Sequence, residues 1–145
     1  PTEPILSSST FARMILASVV MALGALFVYW QFASDPVYAR SATLTTLVFF
    51  QLFNLFNSRS ATTSVFVMSW LNNKWLLAMF GIASVLQLGA IYWPAVSSVL
   101  GLTALDWPTL VLCLMVALSI VLVDELRKWG RLMMLSWAKT QAVFD

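Results

Sequence analysis

Long apolar runs, separated by short polar clusters, dominate the chain. The first extends from about residue 11 to 32 and carries no charge after Arg13. The second covers about 41–58, between Arg40 and Arg59. The third, 75–93, follows Lys74 and stops at Pro94, and the fourth, about 108–123, stops at Asp124. An α-helix needs about 20 apolar residues to cross a hydrocarbon layer of about 30 Å, and each run comes close to that length. The pattern therefore predicts an all-α membrane protein with four transmembrane helices, forming a single membrane domain over 1–145. Ser9 or Thr10, Asn72 or Asn73, and Asp106 stand where N-caps of the first, third and fourth helices belong. In "PAVSSVLGLTALD", residues 94–106, Val96, Val99, Leu100 and Leu102 recur at helical spacing, which predicts a short interfacial helix. The segment "RSATTSVFVMSWLNN", 59–73, mixes polar and apolar residues and is expected along the membrane surface. The tail 124–145 alternates Leu126, Trp129 and Leu132 with Arg127, Lys128 and Arg131. It is expected as an amphipathic cytoplasmic segment that either extends the fourth helix or lies on anionic headgroups.

Four crossings put both termini on one side. Arg13, Arg59, Lys74, Arg127, Lys128, Arg131 and Lys139 then share that side, with Arg40 alone on the other. Basic residues accumulate on the cytoplasmic side of membranes, so both termini are expected to be cytoplasmic. Tyr29, Trp30, Tyr38, Tyr92, Trp93 and Trp107 fall at the outer boundary and Trp70, Trp75 and Trp129 at the inner one, as interfacial anchors do.

Composition agrees. Hydrophobic residues make up 61% of the chain and charged residues 10%, against about 25% charged in soluble domains, and the mean hydropathy is +0.88. The net charge of +2 is a topology signal rather than a nucleic-acid patch, so no nucleic-acid partner is expected. With no His and a single Cys, Cys113, the commonest general base, an internal disulfide and a Cys/His metal site are all missing. The chain begins with Pro, and it is expected to be a segment of something larger.

No charge lies in the middle of any run, so the candidates for intramembrane chemistry are neutral. "VFFQLFNLFNSRS", 48–60, places Gln51 and Asn54 three residues apart on one helical face, with Thr43 and Ser58 close to it. Amides in such surroundings either bond across to a neighbouring helix, worth roughly 0.6–2 kcal/mol, or line an ion path; the residues themselves favour the first. Ser84 and Gln87 are expected to bond a neighbouring helix too. Ser18, Ala22 and Ala25, beside Gly24, form one stripe of small residues, and Gly81, Val85 and Gly89 another; both are read as close packing within the bundle. In "DELRKW", Asp124 with Arg127 and Glu125 with Lys128 are spaced to pair along a helix. No catalytic residue and no cofactor-binding residue is assigned.

Taken in order, "QLFNLFNSRS", "NNKWLLAMFGIASVLQLGAIYWP" and "ALDWPTLVLCLMVALSIVLVDELRKW" resemble the carboxy-terminal end of P-type cation ATPases, in particular the calcium-pump branch and its bacterial members. The resemblance is strongest over 41–131 and weakest over 1–40. It implies the seventh to tenth of ten membrane helices, a support bundle that buttresses the ion-binding helices. It further implies a multi-pass protein of the bacterial inner (plasma) membrane, with the lipid bilayer, the remaining membrane helices and the cytoplasmic domains of the pump as partners. The family's DKTGT phosphorylation motif is not in this chain. ATP, Mg and the transported cation would belong to the whole pump, and no cofactor is expected here. The resemblance aligns Gln51 with a position on the eighth helix where two-calcium pumps carry a carboxylate and single-calcium pumps an amide. Gln51 is thereby the one metal-site candidate, expected behind the direct ligands rather than among them. Two other readings stand beside this one: an autonomous four-helix transporter, which usually needs a carboxylate that the first helix lacks, and a non-catalytic membrane subunit.

Overall fold

The computed structural model describes residues 8–58 and 74–141. The expected surface segment 59–73, with Asn72 and Asn73, lies outside the described residues. Five helices follow one another: α1 Ser8–Gln31, α2 Pro36–Ser58, α3 Lys74–Tyr92, α4 Pro94–Leu100 and α5 Trp107–Gln141.

The helix ends have local causes. Asp35 caps α2: its Oδ1 accepts from the backbone N–H of Val37 at 3.0 Å and of Tyr38 at 3.1 Å. Pro36 follows at the first helical position, where its missing N–H costs nothing. This Asp-Pro start places Arg40 inside the helix and begins α2 five residues before the apolar run. Asp106 caps α5 in the same way, accepting from Thr109 N–H at 3.2 Å. α4 is the short helix expected in 94–106. It ends at Gly101, whose φ of 62° is left-handed and favours a residue without Cβ. α5 runs through Asp124 without a break, so the tail extends the fourth helix rather than turning onto the membrane.

α1, α2 and α5 pack mutually, and α3 approaches α2 and α4. Three helical stretches, Thr10–Gln31, Lys74–Tyr92 and Trp107–Met134, are long and apolar enough to cross a membrane. α2, with 23 residues, has the length, but its amides and hydroxyls keep it out of that group. The structure shows where they go. Ser41, Thr45 and Thr46 are completely buried, and each hydroxyl donates to the carbonyl one turn back, Val37, Ser41 and Ala42 respectively, at 2.8 Å.

The core has two clusters. Val28, Ala42, Ile91, Leu102, Leu105 and Cys113 fill the end near α4. Phe50, Ala117, Ile120 and Val121 fill the other. The close approach of α1 is made by Gly24, where a Cβ would stand 2.6 Å from Phe50 Cζ and 3.0 Å from Val116 Cγ1. The stripe expected to do this packs less well: Ser18 and Ala22 are exposed, and Ala25 is half-buried. The second stripe is a correction. Val85 is 69% exposed and nothing lies within 4 Å of a Cβ at Gly81 or Gly89. α3 instead buries Gln87 and Ile91, which lie on another face of the helix.

A hydrogen-bonded latch holds the loop between α4 and α5 against the start of α2. Tyr38 donates to Asp106 Oδ1 at 2.5 Å and lies 2.9 Å from the Thr109 hydroxyl. Thr103 N–H donates to Ser41 Oγ at 2.9 Å, Arg40 donates to the Gly101 carbonyl, and Tyr92 donates to the Leu105 carbonyl at 2.5 Å. Hydrogen bonds from Thr109 and then Tyr38 hold the Asp106 carboxyl below the ordinary carboxylate range. Burial, and then its bond to Asp106, raise the Tyr38 phenol.

Two predictions follow from this packing and this latch. Gly24→Val in the full-length protein should lower stability by about 1–3 kcal/mol, read as a thermal midpoint in detergent, because Phe50 is fully buried and has nowhere to move. Gly130→Ala, with nothing near its Cβ, should stay within about 0.5 kcal/mol; equal effects would refute the Gly24 contact. A depressed pKa means that Asp106 stabilises the fold above its unfolded pKa and loses that contribution as pH falls through the folded one. Asp106→Asn should therefore be less stable than the parent at neutral pH, and the gap should narrow as the pH falls below the ordinary carboxylate range.

Candidate functional site

The polar residues inside the helices sort into three places. The first is a cross-helix bond. Gln87 of α3, 7% exposed, donates from Nε2 to the Thr45 hydroxyl of α2 at 2.9 Å. The expectation for Gln87 holds, whereas Ser84 donates to its own helix at the Phe80 carbonyl, 2.9 Å.

The second is the end of α1, α2 and α5 far from α4. Asn57 of α2 is 2% exposed and donates from Nδ2 to the Ile120 carbonyl of α5 at 3.2 Å. Arg13 of α1 donates to the Asn57 carbonyl at 3.4 Å. On α5, Asp124 lies 2.9 Å from Arg127 and 3.1 Å from Lys128, and Lys128 lies 3.1 Å from Glu125. Both pairs expected along the helix form, and the additional Lys128–Asp124 pair is nearly buried, with side chains 3% and 8% exposed. Asn54 lines the same small cavity as Arg13, Asn57 and Asp124.

The third place is Gln51 itself. It is exposed on this chain, with Nε2 3.5 Å from Met21 Sδ of α1. Leu44, Leu47 and Leu55 of the same helix are exposed as well. Gln51 and Asn54 are thus not brought to one point: Asn54 turns toward α1 and α5, and Gln51 toward the open side. Sequence reasoning passed over Asn57, although Gln51, Asn54 and Asn57 are evenly spaced by three. It also passed over Thr45, whose partner on α3 depends on a helix register that no sequence spacing contains. Among the described residues no three His, Cys, Asp or Glu side chains gather as a metal group.

The side chains can thus bind helices to one another and offer one amide outward, and among the described residues none is a nucleophile paired with a base. Known proteins point the same way. The chain is 31% identical over 135 residues to calcium-transporting ATPase 1 of Saccharomyces cerevisiae, covering 90% of this chain. It is 31% identical over 130 residues to mouse calcium-transporting ATPase type 2C member 1, covering 87% of this chain. It is 30% identical over 132 residues to the human type 2C member 2. The chain spans 14% of the length of each of these relatives. The family described as cation transporting ATPase, C-terminus, matches residues 1–130, and the chain belongs to that family.

Proposed function

We propose that these helices are the membrane support bundle of an ATP-driven calcium pump, standing beside the helices that carry the ion. The observation that bears most weight is Gln51. An amide left against lipid costs at least about 1–2 kcal/mol, and here it is exposed in the middle of an apolar helix face. That face suits contact with further membrane helices of the longer protein. In this reading Gln51 is a neutral group behind the cation ligands, and ATP and Mg act on domains outside this chain. Calcium as the cargo is supported by the names of the relatives, both calcium-transporting ATPases.

The reading includes four crossings with both termini in the cytoplasm. α2 crosses as the fourth span because it has the length and because its buried Ser41, Thr45 and Thr46 hydroxyls bond inside the bundle, and the basic residues sort seven to one. The host is a separate matter: the relatives above come from yeast and mammals and lend no support to the bacterial plasma membrane expected from the sequence.

Single-cysteine labelling of the full-length protein on a Cys113→Ser background tests the topology. Ser34 and Ser98 should react from outside the cell or organelle lumen, and Ser64 and Thr140 only after the membrane is opened; reversed accessibility would overturn it. For Gln51, transport assays should show that Gln51→Ala shifts cation affinity by less than about tenfold, the change equivalent to 1.4 kcal/mol, while lowering expression or thermal stability. A larger affinity loss with normal folding would make Gln51 a direct ligand.

A further inference from the structure

The cavity at the end of α1, α2 and α5 far from α4 combines a small volume with an oxygen that has no partner. It measures about 10 Å³ and is lined in part by Arg13, Val20, Asn54, Asn57, Ile120 and Asp124. Asn57 is 2% exposed. Its Nδ2 is committed to the Ile120 carbonyl, and its Oδ1 is buried without a hydrogen-bond partner. Asp124 Oδ2, also buried, faces Lys128 Nζ at 3.1 Å as an ion pair but receives no well-aligned hydrogen bond. Leaving one such acceptor unmet costs about 1–3 kcal/mol, and no side chain of the described residues fills the gap.

We infer that this cavity binds a single structural water molecule, which donates to Asn57 Oδ1 and to the Asp124 carboxylate and accepts from the Arg13 guanidinium. Volume selects the ligand first: about 10–15 Å³ open to the centre of a water-sized sphere is room for one molecule and no more. Charge selects it second. A cation would meet Arg13 and the Lys128 and Arg127 partners that already neutralise Asp124, and an anion would meet Asp124 itself. A neutral molecule that both donates and accepts matches all three groups. Bound there, it links one residue from each of three helices at the level where Arg13 and the α5 charges leave the apolar layer.

A methylene added to the cavity wall tests this, because it has opposite effects on wet and dry cavities. Val20→Ile in the full-length protein should lower the thermal midpoint by about 2–4 °C, since it displaces the water and leaves Asn57 Oδ1 unmet. In an Asn57→Leu background, where the amide oxygen that has no other partner is gone and Asp124 keeps its Lys128 ion pair, the same change should be neutral or stabilising. A rise in the midpoint with Val20→Ile alone would show that the cavity is dry and overturn the inference. A density map of the unmodified protein gives the second readout, independent of how the Asn57 variant folds. One peak about 2.7–3.2 Å from Asn57 Oδ1 supports the water. No peak, an ion with short multiple oxygen contacts, or a lipid phosphate reaching in would each refute it.

Discussion

The polar groups that α2 buries need partners inside the protein, and, Thr43 Oγ1 and Asn57 Oδ1 apart, much of the bundle is arranged to supply them. A hydroxyl bonded to the carbonyl one turn back needs no second helix, so Ser41, Thr45 and Thr46 can be wholly buried without demanding a particular neighbour. The lone pairs left on those oxygens are then free to accept. Thr45 takes the Gln87 amide of α3 and Ser41 takes the Thr103 N–H of the loop between α4 and α5. One helix thereby fixes the position of α3 and of the loop between α4 and α5 through oxygens that are already satisfied locally. Because α2 holds the polar contacts, α1 and α3 can present almost unbroken apolar surfaces outward, as a membrane requires of them.

Packing and polar bonds divide the labour along the bundle. Where lipid surrounds the helices, apolar residues gain little by touching each other rather than the tails, so close fit decides association. Gly24 supplies it by letting α1 lie directly on the Phe50 ring. Toward the ends, polar bonds take over. The Tyr38–Asp106–Thr109 group and Arg40 hold the loop between α4 and α5, and the Asp124–Lys128 pair, with Arg13 reaching Asn57, closes the opposite end. The middle of the three helices is set largely by shape and the ends by charge.

Much of this architecture was legible in the sequence. Apolar runs bounded by charges located the helices, Asp106 announced its own cap, and the spacing in 94–106 announced α4. The start of α2 was equally readable in Asp35-Pro36, but the apolar run at Ser41 drew attention away from it. Other features could not be read because they depend on which faces meet. Gly24 and the stripe of Ser18, Ala22 and Ala25 look alike as small residues, and only the position of Phe50 tells them apart. The same holds for Gly81 and Gly89, which have the spacing of a packing motif and no neighbour in this chain. In the candidate site, the Gln51–Asn54 pair was visible, while the burial of Asn57 arises from α5 crossing that end of α2.

The three amides of α2 connect these points. An α-helix turns by 100° per residue, so positions three apart step around the axis by about 60° and climb about 4.5 Å. From Asn57 to Gln51 the amides therefore rotate by about 120° in two steps. Their surroundings follow the rotation: Asn57 is buried against α5, Asn54 is half-buried at the cavity, and Gln51 is exposed. A helix that served only its own bundle would keep its amides on one buried face. An amide row that winds from the core to the open side satisfies the bundle with one end and leaves the other for a neighbour outside these residues. That geometry suits a support element, since the buried end, with Asn57 Nδ2 bonded to the Ile120 carbonyl of α5, holds the exposed amide at a defined height and angle.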